Sequence, residues 1–301
     1  MTAIIMDGNP VARAIRSKIR DGVVSLRKAN VEPSLVTIIV GNDPASQAYL
    51  NNKHAACAAA GIKSRNIELR KDTPQSELEQ IIHDLNQDRT VTGILLQLPL
   101  PKPLNEAAAV ASIAKEKDVD GLNPCNLGQL AGKDAKLVPC TPKGVIVLLK
   151  YYQVGIAGKH AVIINRSKLV GRPLTQLLLN EDATVTVCHS KTKEISDIST
   201  QADILLTGIG RRSEFTVGPE MIKPGAAVVD IGTSSVGGKL MGDVDFDNAI
   251  RVASFLTPVP GGVGPLTVSM LLYNSLVTAS MQHDLEIEFS LDQLAPPAQH
   301  S

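Results

Sequence analysis

The chain has 301 residues, 44% of them hydrophobic, 20% charged and 3% aromatic, with 30 basic residues balanced by 30 acidic ones. That length exceeds what one compact core normally holds, so two domains are expected. The neutral balance, with a pI near 7.0, supplies no field for nucleic acid or an anionic membrane and points to a small-molecule partner.

The N-terminus MTAIIMDGNP lacks a basic region followed by an apolar core, and apolar runs such as GVIVLL are too short to cross a bilayer, so a cytoplasmic protein is expected. Val11, Ile15, Ile19 and Val23 recur at helical spacing behind Pro10, predicting a helix from Asn9 to Leu26. Then follow a strand at LVTIIV, a helix from Pro44 to Ala60 closed by Gly61, a strand near NIEL, a helix from Pro74 to Asn86 and a strand at VTGILLQL. Apolar strands alternating with helices predict a parallel sheet covered on both faces. Thr141 to Gly144, TPKG, is expected to cap a helix running to about Tyr152. A second series, AVII, TVTVC, DILLT, AAVVD and SFLTP, predicts a Rossmann-type sheet, followed by a helix from Pro265 to about Met281 and a polar surface tail. Cys57, Cys125, Cys140 and Cys188 form neither a CxxC pair nor a Cys/His set, which predicts reduced thiols with packing roles and no metal site.

The stretch NRSKLVGRP, Asn165 to Pro173, lies between a strand and a helix, where backbone N–H groups and the helix dipole can receive a pyrophosphate. Asn165-x-Ser167-x-x-x-Gly171 is not GxGxxG, and an ordinary βα loop fits the pattern equally well. Asn tolerates positive φ better than most residues, so the first position of the loop is strained less than its identity suggests. The end of the next strand reads Cys188-His-Ser-Lys191, without the acid that holds ribose hydroxyls in NAD sites. Arg166, Ser190 and Lys191 offer donors for a 2′-phosphate, which favours NADP; a solvated Lys and Arg is the bland alternative.

In the first half, Tyr49 and Lys53 are four apart and share a helix face, as a surface pair also would, while His54 falls on the apolar stripe as a packed histidine. Gln97 ends the apolar strand GILLQLPLP, at the carboxyl end where ligands of parallel sheets gather, although a structural Gln fits there too. Asp120, in KDVDGLNP, has the default reading of a turn residue before Gly121. Near the C-terminus, TPVPGGVGP makes a rigid, close-fitting loop able to lie against a flat ring.

The order of YLNNK, GILLQLPLP, KDVDGLNP with PCTPKG, RSKLVGRP, GDVDF and TPVPGGVGP, from about Ile4 to Met281, resembles the bifunctional methylenetetrahydrofolate dehydrogenase/methenyltetrahydrofolate cyclohydrolase family. The resemblance implies an α/β fold of two domains: an N-terminal catalytic, folate-binding domain over 1–140, completed by the helix 265–281, and a Rossmann-type NADP-binding domain over 141–264, with the folate cleft between them and a tail over 282–301. It implies NADP-dependent oxidation of the methylene folate, hydrolysis of the methenyl product in one-carbon metabolism and purine biosynthesis, and a homodimer. By correspondence Lys53 is the catalytic lysine, Gln97 its partner, Tyr49 the ring that stacks on the folate and Asp120 the pterin anchor. Leu98, Pro99, Pro260, Gly261 and Gly262 are assigned to the folate, and Asn165, Arg166, Ser167, Gly171, Arg172, Ser190 and Thr233 to the cofactor.

Three positions depart from the family pattern: Asn165 stands for the first glycine of its loop, Asn9 for a lysine, and Thr233-Ser234 for Ile-Asn. Cofactor affinity is the property these changes touch. The alternatives are a monofunctional member and a non-catalytic folate- or nucleotide-binding protein; the Lys53, Gln97 and Asp120 set disfavours both.

Overall fold

The computed structural model describes residues 2–41, 53–287 and 289–294. The chain divides into two compact units, one comprising Met1–Ala14, Thr141–Thr267 and Leu291–Ser301, the other Ile15–Cys140 and Val268–Ser290. Among the described residues no helix is long and apolar enough to cross a membrane.

The chain begins with β1 (Ile4–Ile5) and α1 (Gly8–Lys28), whose first turn is capped by the Asp7 carboxylate accepting the Asn9 amide at 2.9 Å. Val11, Ile15, Ile19, Val23 and Leu26 are buried at helical spacing, as the periodicity predicts. The Ile15–Cys140 unit is built on β2 (Ser34–Val40), a helix over 53–60, α2, then β3 (Lys63–Leu69), α3 (Gln75–Gln87) and β4 (Gly93–Leu96). These strands form a three-stranded parallel sheet, β3-β2-β4, in which Ser34 pairs with Lys63 and Leu35 with Gly93. Central β2 is buried along both faces, which is why it reads as a continuous apolar run. One face is covered by Leu78, Ile82 and Leu85 of α3, packed with Val36, Ile38, Ile94 and Leu96.

Two short helices follow, α4 (Glu106–Ser112) and α5 (Pro124–Ala131), and then α6 (Cys140–Tyr151). Thr141 therefore lies inside α6 and bonds Thr267 at 2.9 Å through its hydroxyl instead of capping the helix. The larger sheet uses β5 (His160–Ile164), β6 (Thr184–Cys188), β7 (Ile204–Thr207), β8 (Ala227–Asp230) and, after the hairpin β9 (Ser234–Val236) and β10 (Lys239–Met241), β11 (Phe255–Leu256). Its order is β1-β11-β8-β7-β5-β6, every pair parallel. From β5 the chain steps to β6 on one side and then to β7 on the other, so the strand order reverses at β5/β7. α7 (Gly171–Asn180) leads from β5 to β6, the short helices α8 (Ile195–Ser199) and α9 (Phe246–Ala249) precede β7 and β11, and α10 (Gly264–Met281) is the last long helix among the described residues.

The larger sheet claims the first residues, which sequence reading had given to the N-terminal domain. Ile4 pairs with Phe255 and Ile5 with Leu256 because a two-residue strand has its backbone groups satisfied only by a neighbouring edge. The tail also packs: the Phe289 and Tyr273 rings meet edge to face at 5.8 Å, and Asp292 pairs with Lys150 at 3.0 Å. Cys57, Cys140 and Cys188 are buried and free as expected, whereas Cys125 is exposed on the first turn of α5, off the face that Asn126 and Leu130 bury.

Gly8 marks the tightest approach near the chain start. Its amide donates to Gly261 O at 2.8 Å, and a Cβ there would stand 1.8 Å from Gly262 O. Gly8→Ala must therefore push the 260–262 loop away from α1, and a loss of about 3 kcal/mol in unfolding free energy is expected. Urea denaturation checks it: a midpoint within error of wild type would contradict the packing described.

Candidate active site

In the smaller-sheet unit, side chains far apart in sequence meet beyond the carboxyl ends of the strands. Lys53, only 8% exposed, donates from Nζ to Gln97 Oε1 at 3.0 Å. Gln97 is one residue past β4; its backbone amide bonds Ile38 O at 2.9 Å and its Nε2 bonds Leu98 O at 2.9 Å. With the amide nitrogen committed to Leu98, the oxygen is left facing the ammonium, so the orientation of Gln97 is set by its neighbours. Pro99 follows Leu98 at the partly exposed rim.

Asp120 enters from a loop organised by a residue that sequence reading missed. The buried Asp118 carboxylate accepts Gly121 N at 3.0 Å, Asn123 N at 2.7 Å and Asn126 Nδ2 at 2.8 Å. Gly121 has φ +69°, and a Cβ on it would fall 2.6 Å from the Val138 carbonyl carbon, so glycine alone fits. Fully buried Asn274 of α10 ties the same segment down, donating to Val119 O at 2.8 Å and Val138 O at 2.9 Å. The D-x-x-G spacing of Asp118 and Gly121 was the available signal for an Asx-type turn; nothing marks Asn274 in a helix whose Ser269, Ser275 and Thr278 are buried as well.

Burial lowers the pKa of Lys53, against the opposing pull of Asp120, Cys140 and Cys57. Burial raises Asp120 to about 6; Lys53 opposes the rise, the neighbouring Asp118 charge adds to it and a bond from the Cys140 thiol opposes it. Burial thus displaces both groups toward their neutral forms, the direction that suits proton transfer. Burial pushes the Cys57 thiol to about 11 and Cys140 higher than a free thiol, so both stay protonated. His54, next to Lys53, is held by Ser64 Oγ at 2.8 Å and by Asn66, as a packed histidine should be. Tyr49 lies outside the described residues.

In the larger-sheet unit the loop from Asn165 to Gly171 leaves β5 at the strand-order reversal. Asn165 does not adopt positive φ, so its tolerance of that conformation is not what the loop uses. Its side chain is used instead: Oδ1 accepts Ser167 N at 2.6 Å, and Nδ2 donates to Gly208 O on the loop after β7. Ser167 Oγ in turn accepts Val170 N at 3.2 Å and Gly171 N at 3.4 Å, and Arg172 Nε reaches Arg166 O at 3.4 Å. Gly171 is required, since a Cβ would meet Asn165 O at 2.3 Å. Exposed Arg166 and Ser190 follow the adjacent strands β5 and β6, and exposed Thr233 follows β8, its carbonyl 3.2 Å from where a Cβ of Gly210 would stand. Pro260, Gly261 and Gly262 form the loop against Gly8, and Asn9 is occupied with Asp7, donating to its carboxylate at 2.8 Å.

Two family models match this chain: the tetrahydrofolate dehydrogenase/cyclohydrolase catalytic domain over residues 6–120, and the NAD(P)-binding domain of the same family over residues 139–283. The chain is 47% identical over 281 residues to the bifunctional protein FolD of Cenarchaeum symbiosum, covering 93% of this chain and 100% of the relative. The chain belongs to the tetrahydrofolate dehydrogenase/cyclohydrolase family. A second family member, the bifunctional protein FolD of Geobacillus thermodenitrificans, is 47% identical over 280 residues, 93% of this chain and 98% of its own. Among solved structures of the family, the bifunctional FolD methylenetetrahydrofolate dehydrogenase/cyclohydrolase of Campylobacter jejuni superposes with a TM-score of 0.90 at 41% identity, covering 93% of this chain and 99% of that one. The Trypanosoma brucei methylenetetrahydrofolate dehydrogenase-cyclohydrolase, solved with NADP cofactor and an inhibitor, gives 0.88 at 41% identity, covering 94% and 99%. This chain is accordingly a family enzyme with an NAD(P)-binding domain, and the residues after 283 extend past the matched region.

The two side-chain bonds of Asn165 carry a specific expectation. Asn165→Gly gives the glycine that the resemblance implies at this position yet removes both bonds, so about 1–2 kcal/mol of local stability should be lost. Hydrogen exchange at the Ser167 amide should speed up about tenfold; unchanged protection would show that the side chain does not hold the loop.

Proposed function

We propose that this protein oxidises 5,10-methylenetetrahydrofolate to the methenyl form with NADP⁺ and hydrolyses that product to 10-formyltetrahydrofolate, acting as a cytoplasmic homodimer that supplies one-carbon units, including those for purine biosynthesis. The observation that carries the reading is the Lys53 ammonium held at 3.0 Å by Gln97 beside Asp120 in a family enzyme.

The cofactor fits the loops. Backbone at the strand-order reversal, a following helix start and the cationic Arg166 suit a pyrophosphate and 2′-phosphate, and no acid stands at the end of β6 to repel the latter. Held by the loop from Asn165 to Gly171 and by Arg166, NADP⁺ would supply the hydride acceptor for oxidation of the methylene carbon, whose charge the flanking folate nitrogens would stabilise. For that step the chain's residues position and do not act as a base. Asp120 presents two acceptor oxygens, matching the N3–H and exocyclic amine edge of a pterin, and Tyr49 offers a ring for stacking.

Hydrolysis asks more of the chain, because water adds to the methenyl carbon and a proton must move as the ring opens. Lys53, with its pKa lowered by burial and its Nζ aimed by Gln97, is suited to take and return that proton. Lys53→Met should lower the cyclohydrolase rate by about 100-fold or more while part of the dehydrogenase rate survives. Both rates are read on purified protein, from reduced nicotinamide and from methenyl absorbance; loss of dehydrogenase with hydrolysis intact would sink the assignment.

A pH dependence follows from Asp120. Its carboxyl, raised to about 6, is the ionised pterin acceptor above that pH and becomes protonated below it. The kcat/KM for the methylene folate should therefore fall about tenfold per pH unit on the acid side of about 6. A flat profile from pH 7 to 5 would remove Asp120 from the anchoring role.

A further inference from the structure

Two carboxylates buried in the NAD(P)-binding domain are used by nothing described so far. Fully buried Asp243 follows β10; its Oδ2 accepts the Thr207 hydroxyl at 3.0 Å and Ile209 N at 2.6 Å, and its Oδ1 accepts Gly210 N at 2.9 Å. Asp230, the last residue of β8, accepts Gly232 N at 2.9 Å on Oδ1 and Val244 N at 2.8 Å on Oδ2. The two interlock through missing side chains: a Cβ on Gly232 would lie 2.2 Å from the Asp243 carboxyl carbon, and one on Gly242 would lie 2.0 Å from Asp230 Oδ2. Each carboxylate fills the space a glycine leaves open on the opposite segment.

The segment Asp243 grips is the loop after β7, on one side of the strand-order reversal. Asn165 holds Gly208 O from the β5 side, and Asp243 draws the next two amides inward from the other. The Ile209 side chain packs into the core beneath, and the flanking Gly208 and Gly210 carry no side chain. The loop is thereby pressed into a bare strip of backbone with its donors turned away from solvent, the kind of surface against which a planar ring can lie.

We propose that Asp243 is a positioning residue for the cofactor, setting NADP affinity and hydride transfer by fixing the 207–210 loop without touching the nucleotide. The proposal rests on the reading of the Asn165, Gly208 and Thr233 loops as the cofactor site. Asp243→Asn turns one acceptor oxygen into an amide donor facing Thr207 Oγ1 and Ile209 N–H, so the loop loses its shape while side-chain volume is kept. The KM for NADP⁺ and the Kd for NADPH, the latter from nicotinamide fluorescence without turnover, should each rise at least tenfold. Cyclohydrolase activity, which reports on the other unit, should stay within twofold of wild type, a split that general unfolding does not produce. Thr207→Val removes only one of the three donors and should raise both constants about threefold, which decides the matter if Asp243→Asn does not fold. Wild-type protein that fails to bind NADPH overturns the cofactor reading and this proposal together. Wild-type protein that binds it, with every folded variant binding equally tightly, overturns this proposal alone.

Discussion

Parallel pairing is the constraint on which the rest of this molecule depends. Strands that run the same way end on the same edge, so residues separated by long helical connections emerge beside one another without further instruction. In the three-stranded sheet that edge gathers Gln97 and the loop carrying Asp120, and α2 brings Lys53 to them. In the six-stranded sheet the same rule gathers the loops after β5, β6, β7 and β8, and the reversal of strand order between β5 and β7 opens the space where they part.

Having gathered polar groups at these edges, the fold must keep them from the cost of burial. It does so with backbone amides more than with counter-charges. Asp118, Asp230 and Asp243 each take two or three N–H or hydroxyl donors, which shape the loop while they satisfy the carboxylate. Lys53 is bonded by the Gln97 amide oxygen and also feels the Asp120 charge, so here an amide and a counter-charge act together.

Much of this was legible in the sequence because burial writes periodicity. The apolar runs of β2, β4, β5 and β7 and the 3.6-residue stripe of α1 are direct records of what touches water, and Gln97 was marked by ending such a run. β1 escaped because two residues carry no period, and α4 and α5 because their signal resides in single capping residues, Asn105 and Asn123. Asp118, Asn274 and Asp243 escaped for another reason: their importance lies in which backbone atoms they meet, and those contacts are made across 3 to 155 residues of chain. Asn165 was noticed for its identity but given the wrong cause, since its amide group and not its backbone freedom is what the loop uses.

That amide has a consequence for how a ligand is received. A glycine-rich loop samples many shapes when empty and must surrender that freedom on binding, whereas a loop laced to Gly208 and Ser167 by one side chain has already surrendered it in folding. For the proposed cofactor, entry is then close to rigid docking, with a smaller unfavourable entropy change and an association rate governed by diffusion and electrostatic steering in place of loop closure. In the loop proposed for the cofactor, Asn165 thus moves the cost of order from the encounter to the folding of the protein.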